Sequence, residues 1–301
     1  MADRPEPAPA VWAAVVVNYQ AGPLLAACVR SVLADASAGS PEVVVVDNGS
    51  RDGSVAQLAA AFPHVPVLAP GANLGYARAA NLGIAATRAP VVAVLNPDAE
   101  VAPGTAAALL AAFEADPRLA AVGPQIRNPD GTCYPSARRS PSIGVALGHA
   151  LLGGIAPGNR WTRAYRELDA DPDRSRAVDW ISGAALWLRR TALDRIGGWD
   201  ERYFLFFEDV DLCRSLEADG WRIAYEPAGR VLHLVGVSRA GRRYRSIYDH
   251  HRAAYRYAAK WWHGPRRVLL PVAAAFLAAR GALLAGAETV RSRSDPSRAT
   301  G

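Results

Sequence analysis

Five short stretches of this sequence carry residue types that can do chemistry. Residues 43–54, VVVVDNGSRDGS, are an apolar run ending on Asp47. A carboxylate at the buried end of such a run needs donors. Asp47 either accepts the N3–H of a uracil or thymine base or fixes its own turn. Tyr19 closes an earlier apolar run; its ring is either a platform for a base or a tyrosine at the edge of the core. In residues 73–83, NLGYARAANLG, Asn73 and Gly75 stand just before a helix. Helix N-termini favour anions, and a glycine there lets the backbone approach a phosphate. Arg78 on that helix reaches either a diphosphate or solvent. The stretch is not the G-x-G-x-x-G pattern of a dinucleotide cofactor.

The third stretch is Asn96-Pro97-Asp98-Ala99-Glu100. Asp98 is placed to hold Mg²⁺ or Mn²⁺, ions that take few protein carboxylates and complete their shell with phosphate oxygens and water. The alternative is a turn built by Asn-Pro-Asp. In residues 199–212, WDERYFLFFEDVDL, an aromatic run leads into Glu208, Asp209 and Asp211 on one helical turn. The helix dipole accounts for one acid there; three exceed that need, and one beside an acceptor hydroxyl can act as general base. His233, in HLVGVS, is either structural or a further ligand to the Asp98 metal.

These residues must be positioned by something, and the first half of the chain says what. Residues 13–18, 43–47, 65–69, 91–96 and 120–124 read as buried strands, and helices are expected from Pro23 to about 36, then over 54–62, 76–87 and 103–116. Strand–helix alternation with all-apolar strands predicts an α/β fold built on a mostly parallel, doubly wound sheet flanked by helices. Ligands bind such sheets outside the carboxyl ends of the strands, where Tyr19, Asp47, Asn96 and Asp98 fall. Residues 128–173, rich in Gly, Pro and Arg, read as long loops with one short helix near 143–152. Regular structure resumes with a strand at 181–188, a helix from 208 to 219, and short strands at 221–225 and 231–234.

The chain has 301 residues and a formal charge of +6, with three scattered cysteines that argue against a disulfide framework or zinc knuckle. The charge is unevenly placed. Residues 239–301 hold thirteen basic and three acidic groups, net +10, leaving −4 for the rest. An acidic body with a basic tail fits nucleic acid, anionic lipid or a phosphorylated substrate, or else the tail is a solvated basic extension. Of these, nucleic acid is not the expected partner. The Pro-rich start has no apolar signal core, so a cytoplasmic location is expected. Residues 268–284 are apolar but broken by Pro271, Arg280 and Gly281, which suits lying in a membrane interface better than spanning it. The expected division is a disordered start (1–10), a catalytic domain (11–238, with halves at 11–125 and 126–238) and a basic, helical, membrane-associating tail (239–301).

Taken together, VVVNYQ, VVVVDNGSRDGS, NLGYARAANLG, LNPDAEV, SGAALWLRR and GGWDERYFLFFEDVDLC resemble the family 2 inverting glycosyltransferases of GT-A fold. The resemblance covers roughly residues 12–238. It implies that 11–125 bind the nucleotide sugar and 126–238 the acceptor. Tyr19 and Asp47 then contact the base, with Asn73, Gly75, Arg78, Asn96 and Asp98 completing the nucleotide-sugar site. Asp98 takes the place of the metal-binding Asp of the D-x-D element, with Asn96 in its first position as in the rhamnosyltransferase branch. Asp209 is implied as the catalytic base, and His233 as the residue completing the metal site. The middle of the chain, with VGPQIRNPDGTCYPSARRSPS, NRWTRAYREL and WISGAALWLRR, is similar to actinobacterial rhamnosyltransferases that use dTDP-L-rhamnose. Their acceptor is a polyprenyl-diphosphate GlcNAc, in the linker between arabinogalactan and peptidoglycan. Arg138, Arg139, Trp180, Gly183 and Glu208 are its expected acceptor contacts, with Arg forks suited to a lipid diphosphate. Such an enzyme works at the inner face of the cell membrane. Three alternatives stand beside this reading: the same chemistry with UDP-galactofuranose, UDP-GlcNAc or a GDP-sugar; a sugar nucleotidyltransferase; and a catalytically silent binder.

Overall fold

The apolar runs form β1 (Trp12–Asn18), β2 (Glu42–Asp47), β3 (Val67–Leu68) and β4 (Val91–Leu95) in a computed structural model that describes residues 10–140, 142–234 and 243–294. Every residue of β1 and β4 is buried, because helices cover both faces of the sheet and leave no solvent side to demand alternation. β1 pairs in parallel with β2 and β4, and β2 with β3. Between them run α1 (Leu24–Ala34), α2 (Ser54–Ala61) and α3 (Tyr76–Ala85). One core layer packs Leu25, Val29 and Leu58 beneath the sheet; the other packs Ala77, Ala80 and Ile84 above it.

Beyond β4 come β5 (Ala99–Val101), α4 (Thr105–Ala115), β6 (Leu119–Arg127) and β7 (Ala137–Arg138). They are followed by α5 (Ile143–Leu152), α6 (Arg160–Arg166), β8 (Arg176–Ala177), β9 (Trp180–Ile181) and β10 (Ala185–Arg189). Next are α7 (Arg190–Ile196), α8 (Glu208–Ala218), β11 (Arg222–His233) and α9 (Arg243–Trp261), and α10 (Leu270–Ser294) closes the series after a 3₁₀ turn at Gly264–Leu269. The nine-stranded sheet runs β3-β2-β1-β4-β10-β6-β11-β5, with β8 also on β11.

The sheet is mixed. The strand expected over 181–188 is split at Gly183: β9 pairs with β7 in a separate ribbon, and β10 inserts antiparallel between β4 and β6. The two short strands expected near 221–234 are one, β11, with a register irregularity between Glu226 and Arg230. The stretch read as long loops contains α6 and β7 as well as the expected α5. β11 runs antiparallel to β5 with His233 opposite Ala99, which brings the histidine to the β4–β5 connection. α9, which opens the expected basic tail, is fastened to α8. Its Lys260 Nζ donates to Asp211 at 2.6 Å and to Asp200 at 3.0 Å, and Trp261 Nε1 donates to Asp211 at 2.7 Å. Residues 1–9 of the expected disordered start lie outside the described residues, as do 235–242 and 295–301.

Candidate active site

The ends of β1 and β2 meet in a polar knot. Asn18, fully buried, donates through Nδ2 to Asp47 Oδ1 at 2.8 Å and to the hydroxyls of Ser50 and Ser54 at 3.1 and 3.0 Å. Asp47 Oδ2 accepts the Ser50 N–H at 3.1 Å. The carboxylate therefore fixes its own turn and is held rigidly at the strand end. Tyr19 is half-buried at the rim beside it.

Asn48, a polar residue at the strand end to which the sequence assigns no role, anchors the next loop by accepting the Leu74 N–H and donating to the Gly75 carbonyl, both at 3.1 Å. Asn73 accepts the Gly75 N–H at 3.0 Å. Gly75 has φ +86°, and a Cβ there would lie 2.5 Å from the Phe204 carbonyl oxygen. The close approach that demands glycine is thus to the strand of chain leading into α8, which the Tyr76 N–H also ties at 2.8 Å. Arg78 points away, paired with Glu201 at 2.9 Å on the surface.

Asp98 and His233 are both buried, with Nε2 3.1 Å from Asp98 Oδ1. Asn96 Nδ2 lies 3.3 Å from the same nitrogen. The two side chains thus bring a carboxylate oxygen and a ring nitrogen within hydrogen-bond distance of each other, and both are donor types a divalent ion takes. Nδ1 of His233 has no hydrogen-bond partner among the described residues. No cluster of three or more His, Cys, Asp or Glu suited to a metal occurs among them either. Asp98 and His233 are the residues that could hold a divalent ion of the kind that takes few protein ligands.

Across the crevice stands Asp209, in the first turn of α8. Phe206 and Phe207 enter the helix with φ +71° and +63°, strained backbone of the kind that collects at functional sites. Asp209 Oδ1 accepts the Val210 N–H and Oδ2 the Gly183 N–H, both at 2.9 Å. Burial raises its carboxyl above the usual Asp range; those two N–H groups and the charge of Arg138 oppose the rise. The split in the 181–188 strand now has a cause, because Gly183 leaves the sheet to present its N–H to Asp209. Its carbonyl is clamped from the other side by the Tyr76 hydroxyl at 2.5 Å. Tyr76 is half-buried, and its phenol is pushed up first by desolvation and then by Glu208, Asp209 and Asp98. Carboxylates from two distant segments, Glu208 and Asp209 on α8 and Asp98 after β4, thus act on one phenol. Tyr76 sits inside the NLGYARAANLG stretch, and a tyrosine directly after the glycine was the signal for it.

Arg138 lies over Trp180 at 4.8 Å and over Tyr165 at 5.6 Å, and its Nε donates to the Pro135 carbonyl at 2.8 Å. Trp180 is its register partner across the β7–β9 ribbon. Arg139, one residue on, is exposed and 4.0 Å from Glu167; consecutive residues in extended chain point opposite ways. Glu208, first residue of α8, is buried beside Tyr76. Asp211 faces α9 rather than the crevice.

Residues 13–196 match the family described as Glycosyl transferase family 2. The chain belongs to that family. This glycosyltransferase is 39% identical to the N-acetylglucosaminyl-diphospho-decaprenol L-rhamnosyltransferase of Mycobacterium tuberculosis over 268 residues, 84% of its own length and 87% of the relative's. It is 31% identical to the Rhamnosyltransferase WbbL of Escherichia coli over 83 residues, 28% of this chain and 31% of that one. Among solved structures, the mannosyltransferase PcManGT of Pyrobaculum calidifontis, in complex with GDP-Man and Mn²⁺, superposes with a TM-score of 0.56 at 17% identity, covering 97% of this chain and 83% of that one. GalNAc-T7 with UDP, GalNAc and Mn²⁺ superposes with 0.55 at 14% identity, covering 85% and 51%. The glycosyltransferase thus has the GT-A fold, with its mixed sheet and its C-terminal helices.

Proposed function

We propose that this glycosyltransferase moves L-rhamnose, with inversion, from dTDP-L-rhamnose to the GlcNAc of a polyprenyl-diphosphate acceptor during cell-wall synthesis at the cytoplasmic face of the membrane. The observation that carries the reading is the 39% identity, across 84% of this chain, to a relative named as such a rhamnosyltransferase. Asp209 takes the proton of the GlcNAc hydroxyl while that oxygen attacks the anomeric carbon. The bond from that carbon to the diphosphate oxygen breaks, and dTDP leaves with the electron pair. Asp209 is suited to this because burial raises its proton affinity while Gly183 and Val210 fix both its oxygens. Asp98 and His233 would hold Mg²⁺ or Mn²⁺, and the chemistry such an ion supplies when bound is neutralisation of the leaving group's growing charge. Tyr19 and Asp47 line the base end, with Asn73, Gly75 and Asn96 between base and diphosphate. Arg138, held by its aromatic stack, faces the acceptor side with Trp180, Gly183 and Glu208.

A panel of nucleotide sugars offered with a short-chain polyprenyl-diphosphate GlcNAc tests this. dTDP-L-rhamnose is expected to give the inverted product fastest. Faster transfer from UDP-galactofuranose, UDP-GlcNAc or a GDP-sugar would replace the donor, and no transfer from any would overturn the reading.

A further inference from the structure

Two neighbouring helices of this protein are built inside out. The outward face of α10 carries Val272, Ala275, Ala279, Leu283, Gly286 and Val290, and no residue exposed between 271 and 290 is polar. Its polar groups are turned inward instead. Arg280 donates to the Ala150 carbonyl of α5 at 2.9 Å and contacts His251 Nε2 of α9 at 2.9 Å, while Thr289 meets Tyr244 of α9 at 3.1 Å. A helix on the surface of a water-soluble body shows the reverse pattern. α5 repeats the inversion: Leu147, Leu151 and, just past its end, Ile155 are exposed at helical spacing, while His149 turns inward to Thr162 at 3.1 Å and stacks on Tyr165 at 4.2 Å.

We infer that α10 and α5 together form one lipid-docking surface, and that its occupant is the interface of an anionic bilayer. The stripe on α10 is about 27 Å long at 1.5 Å per residue, and exposed Arg266 and Arg267 stand at its head, where they meet anionic headgroups. The segment Gly264–Val290 is long and apolar enough to cross a membrane. Arg280, however, midway along it, is bonded to both α5 and α9, so the helix lies against the body and in the interface. α5 is the link to the crevice. Its His149 stacks on Tyr165, Tyr165 lies beneath Arg138, and Arg138 acts on Asp209. The surface therefore sets the acceptor side of the crevice beside the bilayer plane. That last consequence rests on the function proposed above; the docking surface itself does not.

The test uses the full chain and vesicles of phosphatidylcholine with about 30% phosphatidylglycerol, without substrate. Val272→Glu with Leu283→Glu in α10, and separately Leu147→Glu with Leu151→Glu in α5, are each expected to lower vesicle partitioning at least about tenfold. Both pairs are exposed, so circular dichroism and donor hydrolysis in lipid-free buffer are expected to stay at wild-type values. Wild-type partitioning by the α5 variant would overturn the two-helix surface. Resistance of the wild-type protein to alkaline carbonate extraction would overturn an interfacial helix in favour of a spanning one. A lipid-free dimer that the α10 variant dissociates, with vesicle binding unchanged, would make the occupant a second copy. Failure of rhamnosyl transfer with intact vesicle binding would count against the proposed function alone.

Discussion

Lys260→Met removes a cation shared by Asp211 and Asp200, and the larger part of its worth, the pair with buried Asp211, follows from the structure. Asp211 is 1% exposed and accepts from Lys260 Nζ at 2.6 Å, Trp261 Nε1 at 2.7 Å and Tyr203 Oη at 3.2 Å. Lys260 is the only lysine in the chain. Removing one partner of a buried pair costs about 3–5 kcal/mol, because the remaining charge is left uncompensated. The Lys260 side chain is 27% exposed and Asp211 keeps two neutral donors, which sets the expected loss at the low end, about 3 kcal/mol. At roughly 2 °C per kcal/mol for a domain of this size, Tm falls by about 6 °C. The assay is urea denaturation followed by circular dichroism. Adding Asp211→Asn to Lys260→Met removes the orphaned charge and is expected to return at least about 1 kcal/mol. Asp200 supplies a pH signature. Its carboxyl is held below the usual range by Arg202 first, with Lys260 also contributing, so its contribution is present above the ordinary Asp pKa of about 3.9 and lost as pH falls below it. The wild-type stability loss on acidification is therefore expected to exceed that of the variant. A Lys260→Met protein within about 0.5 kcal/mol of wild type would refute the reasoning.

Two further outcomes concern the crevice. Tyr76→Phe removes the hydroxyl that clamps the Gly183 carbonyl, and the displaced Gly183 N–H no longer fixes Asp209. kcat is expected to fall about tenfold, roughly 1.4 kcal/mol, with donor KM unchanged; steady-state kinetics showing wild-type kcat would exclude this positioning role. Arg138→Met removes the positive charge that opposes the raised Asp209 pKa. Because the base must be deprotonated, activity is lost as pH falls through that pKa, and removing Arg138 is expected to move the acid limb of the kcat/KM profile to higher pH. A limb that stays in place or moves to lower pH contradicts the contact.

The sequence carries β1, β2 and β4 plainly, because strands buried on both faces must be apolar throughout and leave polar residues only at their ends. Asp47, Asp98 and Tyr19 were legible for that reason. The buried strand expected over 65–69 is only the half-buried pair Val67–Leu68. What local patterns do not hold is pairing between distant segments. β10 reads as one strand with β9 until Asp209 is seen drawing Gly183 out of line. Asp211 is indistinguishable from Asp209 as an acid on a helical turn, since the lysine that claims it stands 49 positions later. α9 looks like a basic tail because its charge is visible and its inward face, with Tyr257, Lys260 and Trp261, is not. Gly75 was read for phosphate, yet the atom it makes room for belongs to Phe204, more than a hundred residues on.

Asp209→Asn asks whether that carboxylate takes the acceptor's proton. Measured together, dTDP-L-rhamnose binding by calorimetry and rhamnosyl transfer by product formation should separate. Donor affinity is expected within about twofold of wild type and turnover lower by on the order of 10²–10⁴, the ordinary worth of a general base. Wild-type turnover in that variant would contradict it.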